Sequence, residues 1–149
     1  MKKFVFTLQA LFNYKLTIEK QQKAELRNAQ IALRELQQEE QRLLEAYAEN
    51  EKSLEEALRK NKNVAAALSE HDAYFRYLRD ALIEIRERIA RAERIVAECQ
   101  MRLIATMKEI KTYNKLRDAQ YQEYLKEIQL EEEKEIGDLV SFTTVSEDY

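Results

Sequence analysis

The sequence predicts an all-α protein, a long antiparallel two-helix coiled-coil hairpin, from three observations. It contains no proline and a single glycine, Gly137, so the residues that tight turns and multi-stranded hairpins require are missing. Its residues are 36% charged and 45% hydrophobic, rich in Glu, Lys, Arg, Leu, Ala and Gln, the makeup of long helices. Its apolar residues recur at alternating spacings of three and four for more than six heptads, the mark of a coiled-coil seam.

The chain divides into one hairpin over residues 1–149: a first helix at about 5–60, a turn at 61–68, a second helix at about 69–137 and a flexible tail at 138–149. The first helix carries the rougher seam, Leu26, Ala29, Leu33, Leu36, Glu40, Leu43, Tyr47, Asn50, Leu54 and Ala57, in which Glu40 and Asn50 interrupt the apolar positions. Upstream, Leu8, Leu11 and Ile18 lie in another phase, and passing through Gln22 to Leu26 takes two steps of four, a stutter that locally unwinds a supercoil.

The turn is expected at Lys60-Asn61-Lys62-Asn63, because asparagine can close a helix in the left-handed conformation in place of glycine. Ser69 then reads as the N-cap of the second helix, with Asp72 three residues on where a capping-box acid belongs, and Val64–Leu68 is a short helical piece within the turn.

The second helix carries the clearer seam: Leu68, His71, Phe75, Leu78, Leu82, Ile85, Ile89, Ala92, Val96, Cys99, Leu103, Thr106, Ile110 and Tyr113. Folding the chain back within 61–68 sets position i opposite roughly 129 − i. Leu54 then meets Phe75, Tyr47 meets Leu82, Leu43 meets Ile85, Leu36 meets Ala92 and Leu8 meets Tyr121, so the two seams interlock as an αα-hairpin. At 1.5 Å per residue the helices span roughly 80 and 100 Å, a rod whose second helix overhangs the first and stops at Gly137. The tail beyond it, including Leu-Val-Ser-Phe-Thr-Thr-Val at 139–145, is expected to fray.

Composition also bounds the chemistry. One glycine cannot build a phosphate loop or a dinucleotide fingerprint. His71 and Cys99 are the only histidine and cysteine, too few for a zinc site, a Cys-His nucleophile with its orienting partner or an internal disulfide. The sequence therefore predicts no enzyme and no cofactor. Both residues fall on the seam and read as packed side chains.

The run from Phe4 to Tyr14 resembles a signal peptide but lacks a small-residue cleavage site and is too short to span a membrane, so a cytoplasmic chain without an anchor is expected. The net charge of −3 hides an acidic end: residues 129–149 carry −6, leaving +3 on the remainder with both signs interleaved. No basic stripe points to nucleic acid.

Apolar residues that a two-helix seam cannot use are the candidates for binding. Near the turn these are Leu44, Tyr74, Tyr77 and Ala81. At the free ends Phe4, Phe6, Phe12, Tyr124, Leu125 and Ile128 exceed what the seam buries.

Three motifs in order, Phe4-x-Phe6-x-Leu8-Gln9-x-Leu11, Tyr74-x-x-Tyr77-Leu78 and Lys115-Leu116-Arg117-Asp118-x-Gln120-Tyr121-x-Glu123-Tyr124, resemble the FliJ family, the coiled-coil subunit of the flagellar type III export ATPase complex. The resemblance runs over nearly the whole length. It implies a stalk whose free helical ends sit in the pore of the hexameric flagellar export ATPase, while the side of the hairpin contacts the cytoplasmic domain of the export gate. Export chaperones are further partners that it implies, as is a peripheral position at the inner face of the cell membrane.

Carried over by position, Leu44, Tyr47, Tyr74, Tyr77 and Ala81 fall on the gate contact, and Phe4, Leu8, Tyr121, Tyr124 and Leu125 on the ATPase-ring contact. Glu84 and Arg88 depart from the neutral character of the gate face. The stalk of a virulence type III system, or a non-catalytic dimeric adaptor whose seams pair between chains, fits the same residues, although the Phe-x-Phe start favours the flagellar version.

Overall fold

The computed structural model describes residues 2–60 and 63–147 and shows two helices, α1 (Gln9–Lys60) and α2 (Val64–Glu147), packed against each other as a helical hairpin. No strand occurs among the described residues. Contacts cluster into two units, each containing a piece of both helices: residues 21–103, and residues 1–20 with 104–149.

Within residues 21–103 the seam is the expected one. Leu78, Leu82, Ile85, Ala92 and Cys99 are buried on α2, with Leu78 only 1% exposed. Leu26, Ala29, Leu33, Leu36, Leu43, Leu54 and Ala57 of α1 are half-buried, the ordinary condition of a two-helix seam that has no third layer. The polar members of the seam are satisfied. Glu40 pairs with Arg86 at 3.3 Å, and buried Asn50 donates from its amide to the carbonyl of His71 at 3.1 Å. His71 in turn lies 2.7 Å through Nδ1 from the carbonyl of Ala67. Because a carbonyl can only accept, Nδ1 carries a proton, and Nε2 lies 3.3 Å from the Ser53 hydroxyl. Gln22, at the stutter, is the exception: its buried Oε1 has no hydrogen-bond partner.

The register differs from the expected one. Tyr47 packs on Phe75, ring centroids 4.8 Å apart, and Glu40 meets Arg86 while Asn50 and Ser53 both meet His71, pairs whose numbers sum to 121–126 where about 129 was expected. These contacts lie roughly half a heptad to one heptad short of the expected register, a displacement that carries seam positions onto other seam positions and is therefore invisible to periodicity. The length of the turn decides it. α2 begins at Val64, not Ser69, because Asn63 is its cap: Asn63 Oδ1 accepts the Ala66 amide at 3.2 Å, and its carbonyl accepts the Ala67 amide at 3.4 Å. Ser69 lies inside α2, and Ala67, 4% exposed, takes the buried position expected of Leu68, which is 46% exposed. No described residue has a positive φ, so Asn63 is not a left-handed terminator. The parallel expectation for Asn61 lies outside the described residues. Arg59 and Lys60 close α1 on the favourable end of its dipole.

Two other boundaries move. α1 starts at Gln9 rather than near residue 5, after a turn at Thr7–Leu8 in which the Gln9 amide donates to the Phe6 carbonyl at 3.0 Å. α2 passes through Gly137 and continues to Glu147, where a flexible tail was expected from residue 138. Gly137 has no positive φ and nothing within 4 Å of where a Cβ would stand, so nothing local ends the helix there.

Within residues 1–20 and 104–149 the core is aromatic. Phe6, Phe12 and Ile110 are buried together, with Phe4, Leu8, Leu16 and Tyr113 packed against them. Phe12 meets Tyr113 edge-on at 6.3 Å, and the Arg117 guanidinium stands 5.6 Å over the Phe12 ring. Lys15 pairs with Glu109 at 2.6 Å, and that hydrogen bond holds the ammonium above its ordinary pKa of 10.5.

Candidate functional site

Two aromatic surfaces stand out, one in each unit. In the first, Tyr74, Tyr77 and Ala81 share one face of α2 at steps of three and four. Tyr77 is 64% exposed, and its ring stacks on that of Tyr74 at 6.2 Å and 19°. Leu44 is exposed on α1, and Ala81 is half-buried. Tyr47 does not join this surface; it is half-buried against Phe75. The stacked pair is amphipathic, with large apolar faces and two hydroxyls, which suits it to protein recognition.

The second surface is built around a strap of non-helical chain. Residues 2–6 precede the Thr7–Leu8 turn, and from Lys3 on they alternate in exposure: Phe4 and Phe6 turn inward, Lys3 and Val5 outward. Phe4 packs against both Tyr121 and Tyr124, centroids at 5.2 and 5.5 Å, and those two tyrosines stack on each other at 6.2 Å. The Tyr124 hydroxyl donates to the carbonyl of Lys2, fixing the strap at its outer end. Four of the five residues assigned to this surface from sequence, Phe4, Leu8, Tyr121 and Tyr124, are thus drawn into packing within the chain. Tyr121 keeps an exposed face, and Leu125, 40% exposed, is left free of that packing.

Hollows flank the strap. One, of about 500 Å³, is lined by Phe4, Phe6, Gln9, Arg117, Asp118 and Tyr121; the other, of about 530 Å³, runs along Tyr124 and Ile128. Sequence periodicity missed Phe6 and Phe12 as core, because a straight two-helix seam has no place for them and only a folded-back strap supplies one. It also missed Glu123 and Glu127, which edge the second hollow together with Glu131 of the acidic end, although their spacing of four is legible in the sequence.

Among the described residues no group of three or more His, Cys, Asp or Glu is arranged to hold a metal ion, and no helix is long and apolar enough to cross a membrane. A family model described as Flagellar FliJ protein matches residues 4–145. No curated protein and no solved structure matches the chain.

Proposed function

The chain belongs to the flagellar FliJ protein family, as a component of the flagellar export apparatus, and from that premise we propose that it is a coiled-coil stalk linking the hexameric export ATPase to the cytoplasmic domain of the export gate. In this role it stimulates the ATPase, escorts export chaperones and stays peripheral to the membrane. The single observation that carries the proposal is the presence of two separate aromatic surfaces on one helical hairpin, Tyr74–Tyr77 in one packing unit and Tyr121–Leu125 in the other. A linker needs two docking faces and no reacting group. ATP hydrolysis belongs to the ring, and this chain transmits force through continuous helix.

The division of labour assigns Tyr74, Tyr77, Ala81 and Leu44 to the gate. Tyr121 and Leu125 reach the ring directly, Leu8 acts by holding the strap, and Phe4 and Tyr124 both hold the strap and line the hollow beside it.

Leu125 gives the cleanest test because it is exposed and makes no ring contact or hydrogen bond within the chain. Leu125→Glu is expected to lower stimulation of ATPase turnover by about tenfold while helix content stays constant. Tyr77→Ala is expected to spare stimulation and weaken capture of the gate domain. Unchanged stimulation by Leu125→Glu overturns the ring assignment.

A further inference from the structure

The groove between the strap and α2 has a chemistry that the aromatic packing does not explain. Its floor is apolar, made by Phe4, Tyr124 and Ile128, and one rim is a row of carboxylates, Glu123, Glu127 and Glu131. These stand at steps of four on one face of α2, and Glu135 continues the row. Like charges at that spacing work against a helix. Elsewhere on α2 the sequence answers such acids with arginine four residues on, as in Asp72–Arg76 at 3.1 Å and Glu98–Arg102 at 3.7 Å. Here it does not. Among the described residues none of the four glutamates has an ion pair, and Lys2 and Lys3, across the groove, reach none of them. Lys134 is the only cation among residues 129–149, which carry −6.

We propose that this groove seats a cationic segment of the export ATPase, with Lys or Arg side chains placed about 6 Å apart to meet successive glutamates and an apolar side chain lying on Phe4, Tyr124 and Ile128. The proposal rests on the stalk function and adds to it the chemistry of the contact. Charge selects the occupant: Glu123, Glu127 and Glu131 outnumber Lys2 and Lys3 on the opposite wall, so the groove as a whole disfavours an acidic segment, and a neutral one leaves those carboxylates without partners. The strap is part of the site, since Phe4 provides the floor and the Lys2 carbonyl, held by Tyr124, fixes the far wall.

The test is a titration of purified export ATPase from the same organism with three forms of the full chain: wild type, Glu123→Gln/Glu127→Gln/Glu131→Gln, and a control with the same loss of charge, Glu51→Gln/Glu55→Gln/Glu56→Gln. The groove variant is expected to bind about tenfold more weakly at low salt and to lose most of the salt dependence of wild-type binding, with the control unchanged. If the groove variant binds as wild type does, with the same salt dependence, the proposal is overturned and the stalk function stands. Equal weakening of both variants overturns it too, because net charge and not the groove is then responsible. If the wild-type chain neither binds nor stimulates the ATPase, the stalk function itself fails and the groove assignment fails with it.

Discussion

Gln22 shows at the scale of one residue how a seam irregularity is read. The sequence puts it where the three-four alternation breaks, and the structure leaves its amide oxygen buried without a hydrogen bond. A buried unpaired acceptor costs about 1–3 kcal/mol, so Gln22→Leu is expected to stabilise the fold by about 1 kcal/mol, measured as a higher urea midpoint at constant slope. Asn50, the other amide on the seam, differs because it donates to His71 across the hairpin. Side-chain identity alone does not separate these two; the presence of an acceptor across the seam does. The same limit applies to Leu68 and Ala67. Both suit an apolar position, and the phase of the first turn of α2 buries the smaller one.

At the scale of the element, the existence of both helices follows from periodicity, whereas their ends do not. Asparagine serves at either terminus, so Asn63 was legible as punctuation but not as the start of α2. Gly137 likewise suggests a stop, yet α2 runs through it with ordinary helical φ. Glycine within a helix still costs backbone entropy, and no atom lies within 4 Å of the missing Cβ. Gly137→Ala is therefore expected to stabilise the surrounding turns by about 1 kcal/mol, read as slower amide exchange at residues 134–141 with no change near Phe12. Faster exchange there would show that the helix depends on the flexibility of glycine.

For the molecule as a whole, an antiparallel hairpin was legible because two seams found separately interlock, and its register was not, because a displacement of a few residues still sets seam position against seam position. The three residues between Lys60 and Val64 settle the matter. In a Cys99→Ser background, Tyr47→Cys/Phe75→Cys is expected to close an intrachain disulfide on oxidation, seen as faster migration on a non-reducing gel, while Tyr47→Cys/Leu82→Cys stays reduced. The reverse outcome would restore the register of the longer turn. The binding surfaces were legible in part. Tyr74 and Tyr77 are exposed as surplus apolar residues should be. Phe4, Phe6 and Phe12 were surplus only for a straight two-helix seam; once the strap folds back they become core or groove.

The stacked tyrosines also make the protein its own optical instrument. With no tryptophan and eight tyrosines, its ultraviolet emission comes from tyrosine, and at 6.2 Å each stacked pair exchanges excitation between its rings. One pair lies on each aromatic surface, in different packing units. Replacing a single ring of either pair by phenylalanine interrupts that exchange at one surface and leaves it at the other, so occupation of each face becomes visible in emission polarisation without an attached dye.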